Sequence, residues 1–327
     1  ENAPYYADAV YAEKGGVKQI AYTEDIYIGY KWYETADKEG YFTAKGTTYD
    51  KVVQYPFGYG LSYTEFEWTL KGVTAQKKGE ETFTVLKSGD TVSDKNTTIT
   101  LTVEVKNTGR VAGKEVVQLY NTAPYTKGGI EKAYVALTDF AKTKTLYPAS
   151  EADGKDKLNS ETLTLKFDLY EIASYDCYDR NKNGFAGWEL DGGTYTLSLR
   201  NNAHEVNGCK DAEFTFKIGA DGFKFDKDPK TGYTVENRFT GATAEAGVPT
   251  DGSNDTDENI TYLSRANFEG TYPKNGFTLR TKGYDITKND GIGAYLDDSV
   301  VYKDLTMPTF GANNGLYLYT LEDGSKA

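Results

Sequence analysis

Residues 98–106, TITLTVEVK, alternate without a break. Ile99, Leu101, Val103 and Val105 point one way and Thr100, Thr102 and Glu104 the other, the two-residue period of a strand with one buried face. A strand of this kind needs a second apolar face to cover it, and five more segments offer one. KEVVQLYN (114–121) reads as the next strand and KAYVALTDFAK (132–142) as a weaker one. ETLTLKFDLYEI (161–172) alternates through Leu163, Leu165, Phe167 and Leu169. GGTYTLSLR (192–200) places Tyr195, Leu197 and Leu199 on one face, and AEFTFKIG (212–219) does the same with Phe214, Phe216 and Ile218. Turns such as NTG at 107–109 separate them. Short strands divided by turns, with no convincing amphipathic helix between them, predict a mainly β fold. The expected form is a two-sheet sandwich from about Phe66 to Ile218, somewhat longer than a minimal immunoglobulin-type module.

The stretch just before it, VVQYPFGYGLSYTEF (52–66), changes phase. Tyr55, Phe57, Tyr59, Leu61 and Tyr63 fall on odd positions, whereas Phe66, Trp68 and Leu70 fall on even ones, so one ladder cannot hold both sets on one face. A bulge, corner or domain junction is expected near Thr64–Glu65. Pro56 removes a backbone donor and Gly58 and Gly60 permit close backbone approach, which suits an irregular segment. The expectation is an aromatic seam, with the end of one domain packed against the start of the next. Residues 1–51 are ring-rich, do not alternate, and are too few for a domain of their own; they read as the tail of a larger one. Residues 220–259 have loop and linker composition, while ITYLSRANFEGTYP (260–273) and PTFGANNGLYLYTLEDG (308–324) look structured.

Charge excludes some classes of partner. With 37 basic and 49 acidic side chains the net charge is −12, and no basic run could neutralise the phosphates of a nucleic acid or an anionic membrane. No apolar run reaches the ~18–20 residues of a membrane-spanning helix. The chain shows no secretory signal and does not start with Met, so it reads as a processed or truncated piece; a cytoplasmic or a secreted setting is equally open. Cys177 and Cys209 are the only cysteines, too few for a disulfide framework or a structural zinc site, though they could pair with each other. The only histidine, His204, would have to serve any Ser–His–Asp site; in RNNAHEVNG it reads as a solvated side chain at a strand end.

Other candidates have plain alternatives. DRNKNG (179–184) places Asp179, Asn181, Asn183 and Gly184 in the order of a calcium loop, but its twelfth position is Leu190, flanked by Glu189 and Asp191, and a hairpin loop is the blander reading. Asp251, Asp255, Asp257 and Glu258 could gather a cation or form a solvated acidic loop. Trp32, Tyr33, Trp68 and Trp188 could stack on sugar rings or pack in cores. Asn96, Asn254 and Asn259 start glycosylation sequons.

EDIYIGYKWYET (24–35) followed by VVQYPFGYGLSYTEF resembles glycoside hydrolase family 3, the β-glucosidase and β-xylosidase family. VKNTGRVAGKEVVQLYNTAPY (105–125), EIASYDCYD (171–179) and GGTYTLSLRNNAHEV (192–206) are similar to strands of the family's fibronectin type III-like domain. The resemblance implies three regions: 1–65, the end of an α/β sandwich domain; 66–219, a fibronectin III-like β-sandwich; and 220–327, an extension toward a barrel that this chain lacks. YLSRANFEGTYP and FGANNGLYLYTLEDG are similar to the region before the barrel in members with swapped domain order.

The family's nucleophile is an Asp on the barrel and its acid/base is usually a Glu in the α/β sandwich, upstream of the PFGYGLSYT segment. The upstream glutamates here, Glu1, Glu13, Glu24, Glu34 and Glu39, do not stand in that setting. No catalytic residue, metal ligand or cofactor is carried over. The expected role is an accessory half of a β-glycosidase, inactive alone, whose partners are the barrel-bearing portion and a β-linked glucoside or oligosaccharide. A stand-alone carbohydrate-binding or adhesion sandwich, or a structural surface-assembly subunit, is the alternative.

Overall fold

The computed structural model describes residues 24–235 and 262–268, together with the backbone of four short strands outside them. Residues 9–271 form one compact unit; residues 1–8 and 272–327 form another. The first unit opens with a hairpin, β1 (Tyr11–Lys14) and β2 (Val17–Ile20). Three short helices follow: α1 (Tyr30–Lys38), α2 (Tyr41–Ala44) and α3 (Tyr49–Val52). Trp32 and Ala36, one turn apart, put the apolar stripe of α1 inward. The helix stops where Gly40 takes a left-handed φ of 74° and its N–H bonds back to the Asp37 carbonyl, a backbone state that costs glycine least.

From Phe66 onward the unit is β. In chain order the strands are β3 (Phe66–Lys77), β4 (Thr84–Leu86), β5 (Asp90–Thr91), β6 (Thr97–Asn107), β7 (Val116–Thr122), β8 (Ala136–Lys142) and β9 (Ser160–Asp168). A 3-10 turn at Leu169–Ile172 leads to β10 (Ser174–Asp176), β11 (Gly187–Leu190), β12 (Gly193–Arg200), β13 (Glu213–Ile218) and β14 (Phe223–Phe225). They form a four-stranded sheet in the order β4-β3-β6-β9, a five-stranded sheet in the order β5-β13-β12-β7-β8, and a three-stranded sheet β10-β11-β14. All pairings are antiparallel except that of β5 with β13. In the other unit the described elements are β15 (Thr309–Phe310) and β16 (Tyr317–Leu318), which pair antiparallel.

The alternation seen in the sequence is the core. Ile99, Leu101, Val103 and Val105 of β6 join Leu163, Leu165 and Phe167 of β9, and meet Leu197, Leu199, Phe214 and Phe216 from the five-stranded sheet. In β7, however, five consecutive residues from Val117 to Asn121 are buried. The outer face of this sheet is covered by the helical segment. The Tyr30 hydroxyl accepts from Leu137 N–H at 2.9 Å and Thr35 Oγ1 accepts from Tyr134 N–H at 2.9 Å. The Tyr30 ring meets the edge of Tyr120, and Gln118 and Arg200 are buried beneath this layer.

The phase change before β3 is a corner: β3 begins at Phe66, and the backbone of 53–65 is not in a ladder. A second phase change, which the sequence did not announce, lies inside β3, where the register with β6 slips between Leu70 and Gly72. The expected packing of the aromatic seam is corrected. Phe57 stacks on Tyr30 at 4.5 Å, yet Tyr55, Phe57 and Tyr59 are about half exposed, Leu61 is 88% exposed and Tyr63 fully so. What docks is the backbone. The Phe57 carbonyl accepts from Ala203 N–H, and the Gly58 carbonyl accepts from Gln118 Nε2. Gly58 has φ +82°, and a Cβ there would lie 2.2 Å from Gln118 Oε1. With that edge held against the sandwich, the odd-numbered side chains turn outward.

Cys177 and Cys209 are thiols, so the pairing left open by the sequence is not made.

Candidate functional site

A cavity of about 450 Å³ lies where the segment preceding α1, the β7–β8 connection and the 172–180 region meet. Asp25, Lys31, Glu131, Asp176, Arg180 and Trp188 contribute to its wall. Glu131 is the hub beside it. It accepts from the Tyr27 hydroxyl, Arg180 Nη1 at 3.0 Å, the Ser264 hydroxyl at 2.6 Å and Arg265 N–H at 3.0 Å. Residues 262–268 are held against the rest of their unit by these bonds, by Arg265 Nε on Glu39 at 2.8 Å and by the buried side chains of Leu263 and Phe268. Burial, then the Glu131 charge, push the Tyr27 phenol far above the ordinary tyrosine range, so it remains a donor.

Asp25 stands in this wall with its carboxyl displaced from the ordinary range. Burial first and the Glu131 carboxylate second raise its pKa from 3.8 to about 6, against the opposing pull of Arg180. Its backbone is left-handed, φ 52°, a conformation Asn and Asp tolerate best among residues with a side chain. Between pH 4 and 6 the folded chain therefore holds a proton on Asp25 that the unfolded chain has lost. Its contribution is greatest below about pH 4 and disappears as pH rises past 6, a swing of about 2–3 kcal/mol. Asp25→Asn should match the parent in urea unfolding near pH 4 and exceed it by about that amount above pH 7. A gap that does not change with pH would contradict this assignment.

The sequence candidates fall in several places. Glu24 is buried, and its Oε1 accepts no hydrogen bond among the described residues. Glu34 is buried between α1 and the sandwich: one oxygen accepts from the Tyr49 hydroxyl and the other lies 2.9 Å from His204 Nδ1, whose ring stacks on Tyr49 at 3.7 Å. His204 is exposed, as the sequence reading has it, but its ring is also tied to Glu34, which that reading did not include. It closes a Tyr49–Glu34–His204 chain across 170 residues, which no local pattern could reveal. Glu39 serves Arg265. Glu13 lies in β1, and its side chain, like Glu1, Asp251, Asp255, Asp257, Glu258, Asn254 and Asn259, is outside the described residues. Asn96 is exposed.

Trp32 and Trp68 are buried, Trp32 edge-on to Tyr33, Tyr41 and Phe42, so neither offers a face to a sugar. Trp188 is half-buried, edge-on to Tyr170 and Tyr175. Glu131 and Lys132 carry no local signal in the sequence, because their partners lie 49 or more residues away along the chain in nearly every contact. Lys132 is buried and its Nζ bonds Asp191 and the Pro124 carbonyl. Among the described residues no three His, Cys, Asp or Glu side chains converge as a metal set, and no helix is long and apolar enough to cross a membrane.

No protein-family model matches the chain. Among characterised proteins it is 36% identical over 188 residues to a β-glucosidase of Ruminococcus albus, covering 58% of this chain and 15% of that enzyme. It is 35% identical over 190 residues to β-glucosidase A of Butyrivibrio fibrisolvens, covering 57% and 19%. Among solved structures it is similar to β-glucosidase 3B of Thermotoga neapolitana in complex with glucose, at 30% identity and a TM-score of 0.40, covering 61% of this chain and 20% of that one. The chain is thus homologous, over somewhat more than half its length, to a portion of family 3 β-glucosidases, and it spans less than a fifth of the length of the two curated relatives.

Proposed function

We propose that this chain is the accessory, barrel-free part of a β-glycosidase. In this reading residues 1–65 end an α/β sandwich domain, 66–219 form a fibronectin III-like module, and 220–327 lead toward a barrel. The part braces the catalytic barrel and shapes one wall of the cleft in which a terminal β-glucosyl residue is cleaved. The retaining reaction needs two carboxyl groups about 5–5.5 Å apart, and this reading puts the nucleophile on the barrel.

The observation that carries the proposal is the outward face of residues 26–63. Ile26, Ile28, Tyr55, Phe57, Tyr59, Leu61 and Tyr63 are exposed while the Phe57 and Gly58 carbonyls and the Thr64 hydroxyl are bonded to the sandwich. Exposed apolar side chains in this density mark a surface that another part of the protein covers. The occupant proposed is the rest of the α/β sandwich, since the relatives carry most of their length outside the matched stretch. The strand orders β3-β6-β9 and β13-β12-β7-β8 support the fibronectin III-like reading of the middle region.

The test is an assay of the purified 327-residue chain on an aryl β-glucoside, with cello-oligosaccharide titration by calorimetry alongside. The expected result is neither turnover nor binding. Turnover by the chain alone would overturn the proposal, and tight oligosaccharide binding without turnover would favour a stand-alone carbohydrate-binding sandwich.

A further inference from the structure

The loop joining β10 to β11 holds Asp179, Asn181, Asn183 and Gly184, and Glu189 follows it within β11. Asp179 Oδ1 accepts from the N–H groups of Asn183 and Gly184, and Asn183 Oδ1 accepts from Phe185 N–H. Lys182 and Gly184 are left-handed, with φ 56° and 76°. Such turns are common and carry no ligand by themselves.

What sets this loop apart is Glu189. Its residue is 2% exposed, and its carboxylate turns back over the loop, with Oε2 accepting from Asn181 Nδ2 at 3.1 Å and from Asn183 Nδ2. Its other oxygen, Oε1, is buried and accepts no hydrogen bond among the described residues. A buried carboxylate oxygen without a donor costs a fold about as much as any unmet polar group can, so a partner is expected there.

The local charge points the same way. Asp176 is also 2% exposed, and Asp191 is close enough that Asn181 Nδ2 lies 3.3 Å from its Oδ1. The cation bonded within this group is Lys132, and its ammonium is committed to Asp191 and the Pro124 carbonyl. Lys224 Nζ donates to the Asn183 carbonyl, on the loop backbone. Two buried carboxylates, Asp176 and Glu189, are left without an ion-pair partner of their own among the described residues.

We propose that this loop binds a calcium ion, with Glu189 closing the site. Calcium takes six to eight oxygens, including amide and backbone carbonyls, so two carboxylates and two asparagines at alternate positions are a suitable set even where three acids do not converge. The closing acid is the eleventh residue from Asp179. The twelfth position, where a calcium loop ordinarily closes, is Leu190 in the core, and Glu189 stands just before it. On binding, the amides of Asn181 and Asn183 turn to present Oδ1, giving up the bonds these oxygens accept from Asn183 and Phe185 N–H, and the ion replaces their N–H groups beside Glu189. This inference does not rest on the proposed function.

The experiment uses the whole 327-residue chain, stripped with chelator and titrated with Ca²⁺ by calorimetry. Terbium luminescence sensitised through Trp188, the neighbour of Glu189, reads the same site. The expected result is one site with a Kd of about 10⁻⁴–10⁻³ M, the range of weaker calcium modules. Glu189→Gln should weaken it by at least about tenfold, the low end of what even an outer-shell change costs. Asp179→Asn keeps the acceptor for Asn183 and Gly184 N–H, so it should fold if Glu189→Gln does not, and should weaken binding similarly. A folded, stripped chain that takes up no Ca²⁺ at about 10 mM, well above that range, would overturn the proposal. So would a folded Glu189→Gln or Asp179→Asn variant that binds as tightly as the parent.

Discussion

Lys132→Met is expected to destabilise the unit by about 3 kcal/mol, read as a Tm about 6–12 °C lower in a unit of this size. Lys132 is 4% exposed, and its Nζ donates to the Pro124 carbonyl at 2.9 Å and to Asp191. Burial pulls its pKa below the ordinary lysine range, while Asp191, Glu189 and Asp176 push back. The net lowering says that taking the ammonium out of water costs more than its partners return, so the pair is not itself a large stabiliser. The penalty for losing the lysine comes from what stays behind: a carbonyl without its donor and the Asp191 carboxylate without its ion-pair partner, beside the buried Glu189 and Asp176. The Asp191 side chain is 27% exposed and can rehydrate, which places the estimate at the lower end of the 3–5 kcal/mol typical of half-broken buried pairs. The double variant Lys132→Met, Asp191→Leu should therefore recover much of the loss. A double-mutant cycle by urea unfolding measures this directly. Additive single effects would mean that the two side chains do not act as a pair.

The contrast between Lys132 and β6 shows where sequence reading works. Ile99, Leu101, Val103 and Val105 are legible because a strand with one covered face imposes its period on the residues themselves. Leu163–Phe167 and Phe214–Ile218 follow the same rule, whereas in β12 Ser198 and Arg200 are buried along with Leu197 and Leu199. In β7 the rule fails in an informative way. Gln118, Tyr120 and Asn121 are as hidden as Val117 and Leu119, because Tyr30 and the Phe57–Gly58 backbone cover the outer face. Two-sided burial erases alternation, and nothing local tells which distant segment provides the cover. The register slip between Leu70 and Gly72 is equally silent, since a single extra residue changes the phase without a distinctive composition. The candidate site is harder still. Glu131 joins residues 27, 180, 264 and 265, and Glu34 meets His204, through contacts that exist only after folding. The aromatic segment shows a further limit: its odd-position rings were evident, but whether they face inward or outward depends on where its backbone is held.

Asn107 does that holding, and Asn107→Ala is expected to cost about 3–4 kcal/mol, several times the ~1 kcal/mol expected for Thr64→Ala. Its side chain, 1% exposed, uses its whole inventory: Oδ1 accepts from the Thr64 hydroxyl at 2.8 Å and from Gly109 N–H, and Nδ2 donates to the carbonyls of Val111 and Leu146. Four bonds at about 1 kcal/mol net each set the scale. Part of that is recovered if water reaches the stranded carbonyls. Asn107→Asp separates the two halves of the network. A carboxylate still accepts from Thr64 and Gly109 but cannot donate, and it turns an oxygen toward two carbonyls, so it should cost as much as alanine near neutral pH. Thr64 is the last residue but one before β3, and through Asn107 it fixes the exposed 55–63 segment to the β6 end of the sandwich. Loss of Asn107 should therefore also open that segment to proteolysis before the core unfolds, with early cuts between Tyr55 and Tyr63. If Asn107→Ala loses no more stability than Thr64→Ala, and the cleavage pattern of the native chain is unchanged, the segment is anchored elsewhere, through Gly58 and Gln118.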